Sequence, residues 1–353
     1  MTSSDPAATA PKPADLVTIT DVARHAGVAV STVSYVLSGK RAISATTRER
    51  VLSSISALGY HPNAGARALA SRRANVIALV LPLRTGMHLP VLMQLVTAVV
   101  TGAREFDHDV LLMTADEGPA GLRRIAASAM VDGVIVMDVE MTDPRVPVLR
   151  ELGRPSVLIG FPADARGLTC VDLDFHRAGA LCVEHLVRLG HRRLALLGAP
   201  GVVYERDTGF AHRTRAGFLE TAAAHGVAAV ARPCEEHYPA VREALVDLFA
   251  GDPALTGIVV HNEAAVDHVM AVLPMLDRRV PRDVSVVAIC PDQVAERTRP
   301  ALASVPIPAE EVGRNAVSLL MRKLAGTAVP DATLLAPALT ARSSTTAAAE
   351  PPA

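Results

Sequence analysis

The hydrophobic pattern changes character along the chain. Between Val17 and Tyr60, apolar residues recur at helical spacing in short stretches separated by turns. From Asn75 onward, short continuous apolar runs alternate with longer amphipathic stretches. The runs Val76–Leu81, Asp109–Met113, Val134–Met137, Ser156–Gly160, Arg193–Gly198, Gly257–His261 and Val284–Ile289 predict strands buried on both faces of a parallel sheet. Pro90–Arg104, His176–Leu189, Arg215–His225 and Glu310–Leu324 predict helices among them. Such alternation reads as right-handed βαβ units. Roughly 265 residues of it exceed what one sheet needs, so two doubly wound lobes with a cleft between them are expected. Residues 1–15 and 341–353 are dominated by Ala, Pro, Ser and Thr without an apolar period, and read as disordered tails.

The expected organisation is a tail over residues 1–15 and an all-α head over 16–62. A linker follows over 63–73, then a two-lobed α/β core over 74–340 and a tail over 341–353. In the head, Thr20 is expected to cap a first helix, with Asp21 at its positive end. Gly27 can take the left-handed backbone of a tight inter-helix turn, and small Ala23 lies four residues before it. Val22, Ala26, Val28, Val33 and Val36 then fix the crossing of two helices, as a helix-turn-helix requires. Ser44 is expected to cap a third helix with the stripe Val51, Leu52, Ile55 and Leu58, ended by Gly59. A plain three-helix bundle fits the apolar positions equally well. It leaves unexplained the polar face Ser31, Thr32, Ser34 and Tyr35 on the second helix.

Charge sharpens this picture. The net charge is −1, yet residues 16–73 hold eight Lys/Arg against two acids, a local +6 that leaves −7 elsewhere. A basic head on an acidic core suits a polyanion partner held by the head alone. No apolar run reaches the ~20 residues of a membrane span, and residues 1–15 lack the order of a signal peptide. The chain is therefore expected to stay in the cytoplasm. Cys170, Cys182, Cys234 and Cys290 are scattered and read as buried thiols. No Gly-x-Gly-x-x-Gly, Walker loop, His-Glu-x-x-His, nucleophile elbow or metal-spaced cluster occurs, so neither an enzyme nor a cofactor is expected.

The stretches Thr18-Ile-Thr-Asp-Val-Ala, Ala26-Gly-Val, Thr32-Val-Ser, Thr47-Arg-Glu-Arg-Val and Leu58-Gly-Tyr-His-Pro-Asn carry a specific signal. On them the segment Val17 to Ser71 resembles the DNA-binding head of the LacI/GalR repressor family, and the likeness continues through nearly all of residues 17–340. The resemblance implies a sequence-specific transcription regulator, a repressor that binds double-stranded DNA at a palindromic operator as a homodimer. It implies that Val30, Ser31 and Tyr35 touch base edges, and that Thr18, Thr32 and Ser34 contact phosphates. Asn63 to Ala70, with Asn63, Ala66 and Arg67, match a hinge helix lying in the minor groove. Leu69 matches its intercalating leucine wedge. Three departures bear on the head and its hinge. Gly65 replaces a usual Leu or Val in the hinge, where glycine is the poorer helix former. Ala29 stands where many relatives have a serine helix cap. Tyr35, where several carry Arg or His, cannot make a bidentate guanine contact.

The core resembles the family's effector domain, itself similar to periplasmic sugar-binding proteins: two lobes closing on a small molecule whose binding is linked to DNA affinity. Asp174, Arg206, Asn262 and Asp292 are the candidate effector contacts. Asp174 could instead only cap a helix, Arg206 could pair with Glu205 or Asp207, and Arg213 and Arg215 compete with it. Cys290 stands where relatives have a ligand-binding aspartate, leaving Asp292 displaced by two residues. Arg84-Thr-Gly-Met-His-Leu replaces a usual Asn-Pro-Phe-Phe. With no Trp and few Phe or Tyr, a typical sugar effector is not expected. A small-molecule binding protein with a non-functional head, or a regulator with an unusual ligand or none, are the competing readings.

Overall fold

A computed structural model describes residues 17–38, 41–60, 73–128 and 130–348. The chain divides into two compact units, one up to Ala74 and one from Asn75.

The first unit holds three helices among its described residues: α1 (Ile19–Ala26), α2 (Val30–Ser38) and α3 (Ala45–Leu58). The N-cap of α1 is Thr18, two residues before the expected Thr20. The Asp21 amide donates to the Thr18 hydroxyl at 3.4 Å and the Thr18 amide donates to the Asp21 carboxylate at 3.0 Å, a reciprocal capping box. Only a residue outside the helix can present its side chain to the free amides of the first turn, and Thr20 already lies within that turn. Gly27 ends α1 in the left-handed region at φ 60°, ψ 41°, and turns the chain into α2. Val22, Ala23, Ala26, Val33, Val51 and Tyr60 form a small core. Leu52, expected in the apolar stripe of α3, is 50% exposed, because Val51 and Ile55 already occupy the inward face. Ser44 caps α3 through the Thr47 amide at 3.3 Å.

The second unit has strands β1 (Val76–Val80), β2 (Asp109–Met113), β3 (Gly133–Val136), β4 (Ser156–Ile159), β5 (Cys170–Leu173) and β6 (Arg193–Gly198). These are followed by β7 (Ala228–Pro233), β8 (Gly257–Val260), β9 (Ser285–Ile289), β10 (Ala303–Val305) and β11 (Ala332–Leu335). Its helices are α4 (Leu89–Arg104), α5 (Gly118–Ala127), α6 (Arg145–Glu151), α7 (Phe175–Arg188), α8 (Gly201–Glu205) and α9 (Gly209–Ala224). Then come α10 (Tyr238–Gly251), α11 (Val266–Met275), α12 (Asp292–Arg297) and α13 (Ala309–Leu324).

Two parallel sheets result, ordered β2-β1-β3-β4-β5-β11 in lobe 1 and β7-β6-β8-β9-β10 in lobe 2. Alternation along each central strand builds the layers. Ile77 and Leu79 pack with Val317 and Leu320 of α13, whereas Ala78 and Val80 pack with Leu122 and Ile125 of α5. In lobe 2, Leu194 and Leu196 meet α7 and α9, and Ala195 and Leu197 meet α10 and α11. Helices α7 and α9 touch backbone to backbone: a Cβ on Gly217 would lie 1.9 Å from the His176 carbonyl oxygen. The chain passes between lobes after β5, after β10 and after β11, so both sheets reverse strand order beside one crevice.

Strands β5, β7, β10 and β11 lie outside the seven apolar runs. Asp172 interrupts β5, β10 has three residues, and β7 and β11 are sheet edges whose residues are only partly covered. The reading of 341–353 as a disordered tail is corrected for residues 341–348. The buried Ser344 hydroxyl donates to the Val286 carbonyl at 2.6 Å and accepts from the Ala303 amide at 2.7 Å. The Val286 amide donates to the Ser344 carbonyl at 3.0 Å, and Ala348 to the Leu189 carbonyl at 2.8 Å. Polar pairing rather than apolar burial orders this strap, which an apolar-period criterion cannot register.

Candidate functional sites

In the head, helical geometry divides α2 into two faces. Val33 is buried and Val36 and Leu37 pack on the core. Val30 (41% exposed), Ser31 and Ser34 face outward, with Thr32 and Tyr35 half-buried beside them. Val30 with Ser34, and Ser31 with Tyr35, are i,i+4 neighbours, so the four make one outer surface. The Arg41 guanidinium stands 5.8 Å from the Tyr35 ring centroid, and Arg24, Arg48 and Arg50 are exposed nearby in sequence. Thr18 is exposed, its hydroxyl donating to Asp21 at 2.6 Å. The Asp21 carboxyl is held below its ordinary range, first by that hydroxyl and then by the Thr18 amide. Ala29 leaves α2 without a side-chain cap, its carbonyl alone receiving the Thr32 and Val33 amides. Asn63, Ala66, Arg67 and Leu69 lie outside the described residues.

In the second unit a cavity opens between the lobes, with about 150 Å³ reachable by the centre of a water molecule. Its walls are the segments that follow β1, β3 and β4 in lobe 1 and β6, β7 and β8 in lobe 2, together with β5 and the starts of α7 and α9. Both sheets run in the order 2-1-3-4-5 from one edge. The cavity therefore sits at the carboxyl ends of the strands, at the switch points where the order reverses. Met87, Leu92, Met137, Ile159, Phe175 and Phe210 supply its apolar surface.

Two of the four expected effector contacts line this cavity. Arg206 does, its Nη1 donating to the Thr85 carbonyl at 2.7 Å and its buried Nε having no partner among the described residues. Buried Asn262 does too, its Nδ2 donating to the Cys234 carbonyl at 2.7 Å. The other two stand outside its lining. Asp174 is the N-cap of α7, accepting from the Arg177 amide at 2.9 Å, and it does not line the cavity. A carboxylate one residue before a helix is drawn to the free amides of the first turn. Asp292 begins α12 48% exposed and pairs with Arg342 at 2.7 Å, also away from the cavity. Buried Cys290 is not a lining residue either, and burial raises its thiol to about 12. Arg213 donates to the carbonyls of Phe161 and Pro162, and Arg215 stacks on Tyr204.

The cavity's own polar groups differ from those expected. Asp172, two residues before Asp174, lines it, and burial raises its carboxyl to about 7. Glu263, beside Asn262, is likewise raised to about 7 by burial. His261 is 3% exposed with an unpartnered Nδ1, and burial lowers its imidazole to about 4. Its ring lies 5.6 Å from both Phe175 and Phe210. Asp138 also lines the wall, bonded at 3.1 Å to Arg84, which reaches Asp116 at 2.8 Å and Glu140 at 2.7 Å as well. Burial alone would lower the Arg84 guanidinium, but the bonds it donates to Asp116 and Glu140 raise it overall. One sequence signal pointed to this set: polar residues interrupting or ending otherwise apolar strands, as in Val171-Asp-Leu and Val260-His-Asn-Glu.

Residues 18–63 match the model of bacterial regulatory proteins of the lacI family, and residues 183–345 match a periplasmic binding protein-like domain. The chain is 31% identical over 323 residues to the HTH-type transcriptional regulator CelR of Thermobifida fusca, covering 88% of this chain and 92% of the relative. It is 26% identical over 312 residues to catabolite control protein A of Priestia megaterium, covering 87% and 92%. Among solved structures, a CelR–cellobiose complex superposes with a TM-score of 0.66 at 29% identity, covering 93% and 99%. A lac repressor dimer bound to operator and the anti-inducer ONPF gives 0.81 at 24% identity over 94% and 99%, a likeness of fold.

Proposed function

The chain belongs to the LacI family of bacterial regulatory proteins, and from that membership we propose how this regulator works. It is a DNA-binding transcription regulator, and its partner is operator DNA. It acts as a homodimer on a palindromic operator, as a repressor, from the cytoplasm. Binding rather than catalysis is its activity. No described helix is long and apolar enough to cross a membrane.

The observation that carries the reading is the outer face of α2, four residues presented by a helix packed against a capped α1 in a basic head. Val30, Ser31 and Tyr35 read base edges, and Thr18, Thr32 and Ser34 hold phosphates. Asn63, Ala66, Arg67 and Leu69, outside the described residues, are assigned to minor-groove contact with Leu69 as the wedge. The inter-lobe cavity receives a small-molecule effector, with Arg206 and Asn262 among its contacts. That a 29% identical relative was solved with cellobiose supports a small molecule in this role.

Selection of bound duplexes from a random DNA pool by the full-length protein tests the reading. A palindrome with a central CG-like step is expected, weakened by Leu69→Ala and altered in preference by Tyr35→Ala. Mobility shifts should weaken steeply with salt. No enriched sequence even at low salt would sink the reading and leave a ligand-binding protein with an idle head.

A further inference from the structure

Acidic side chains outnumber fixed cations in the lining of the effector cavity. Asp172, Glu236 and Glu263 line it, and none of them is ion-paired among the described residues. The fourth acid, Asp138, shares the single charge of Arg84 with Asp116 and Glu140. Arg206 is the one Arg or Lys of the lining among the described residues, and part of its fork is spent on Thr85. Asn262 has given one of its two amide hydrogens to Cys234, which leaves one hydrogen and its carbonyl oxygen to offer. His261 adds a buried ring nitrogen without a partner. Burial holds that ring neutral, so one of its nitrogens is a lone-pair acceptor.

We propose that this cavity receives a compact organic cation, an ammonium on a short apolar or aromatic body, with Asp172, Glu263 and His261 as its acceptors. The proposal rests on reading the cavity as the effector site. An ammonium carries three donors, matching the surplus of acceptors, and its charge offsets carboxylates that are otherwise costly to bury. The rings of Phe175 and Phe210 pack at 43° and 88° to the same histidine and supply an apolar wall for the body behind the ammonium. A neutral polyol would satisfy the acceptors but leave the carboxylate charge uncompensated. An anionic effector would add a like charge to the three acids.

Isosteric pairs separate charge from shape. Binding of benzylamine against benzyl alcohol, cyclohexylamine against cyclohexanol, and cellobiose and benzoate is measured on the full-length protein by calorimetry and thermal shift. The amines are expected to bind at least about tenfold tighter than their alcohols, the scale of one charge-assisted contact. Asp172→Asn and Glu263→Gln should each reverse most of that preference, with circular dichroism reporting folding. If a variant does not fold, the amine-to-alcohol ratio on the unaltered protein still decides. Equal or tighter binding of the alcohols, cellobiose or benzoate overturns the cationic assignment and leaves the effector reading standing. Binding of none of these compounds, in a protein that still selects an operator, overturns both.

Discussion

Arg206 Nη1 lies 2.7 Å from the carbonyl oxygen of Thr85, 121 residues away in sequence, and so fastens lobe 2 to lobe 1 beside the cavity. The same guanidinium keeps its Nε buried without an acceptor. One side chain thus holds the lobes together and has a donor left for a ligand, which makes lobe closure and occupancy energetically linked. Arg206→Ala removes a charge-assisted bond of about 1.5–3 kcal/mol at most, discounted here because the residue is partly exposed. Hydrogen exchange of residues 84–88 should accelerate about tenfold for a loss of roughly 1.4 kcal/mol. Unchanged protection of that loop would show that the tie contributes nothing.

In the head, Thr18 and Asp21 satisfy each other's amides at the start of α1. Thr18→Ala removes one half of the box and frees the other, at a cost of about 0.5–2 kcal/mol. α1 supports α2, so operator affinity should fall without a change in preferred sequence. Thr18→Ser should restore it. A changed sequence preference would mean that Thr18 contacts bases rather than holding the helix.

Legibility followed the kind of force involved. Val76–Leu81 and Gly257–His261 announce themselves because a strand buried on both faces must be apolar throughout. Edge strands β7 and β11 escape that rule, since water covers part of them. The cavity was half legible for a related reason. Arg206 and Asn262 interrupt apolar surroundings and do line it, but between two aspartates in Val171-Asp-Leu-Asp only the helix start distinguishes cap from wall. The ordered strap over 341–348 was invisible to hydrophobic pattern, because hydroxyl and backbone bonds hold it.

Ser344 is the centre of that strap. Its hydroxyl satisfies both the Val286 carbonyl and the Ala303 amide in a fully buried setting. Ser344→Ala leaves both groups without that partner and should cost about 1–3 kcal/mol, read as a lower midpoint in urea. Ser344→Thr keeps the hydroxyl but adds a methyl group where there is no exposed surface. A midpoint unaffected by Ser344→Ala would place the strap among marginal contacts.

Gly217 tests the packing of lobe 2. A Cβ there would meet the His176 carbonyl oxygen at 1.9 Å, and backbone cannot rotate away as a side chain can. Gly217→Ala should therefore destabilise at the upper end of the roughly 1–3 kcal/mol seen for overpacking, despite alanine's better helix propensity. Gly251 offers the control, since a Cβ at that helical position meets nothing within 4 Å. Equal melting temperatures for the two alanine variants would contradict the close α7–α9 contact.

The cavity's ionisable groups pull stability in opposite directions with pH. His261 has its folded value lowered to about 4 by burial. Its contribution is fully present above the unfolded histidine value of about 6.5 and is lost as pH falls toward 4. Asp172 and Glu263 are raised to about 7 by burial. Their contribution is fully present below the unfolded carboxylate range of about 4 and is lost as pH rises through 7. Thermal melts of Asp172→Asn should therefore gain on the unaltered protein as pH rises from 5 to 8. His261→Gln should gain on it as pH falls from about 6.5 to 4.5. A bound cation would remove the alkaline loss, because it stabilises the ionised carboxyls. Benzylamine should accordingly raise the melting temperature more at pH 8 than at pH 6. The reverse order would mean that the acids bind as neutral groups, and that a hydroxyl-bearing ligand is the better match for this cavity.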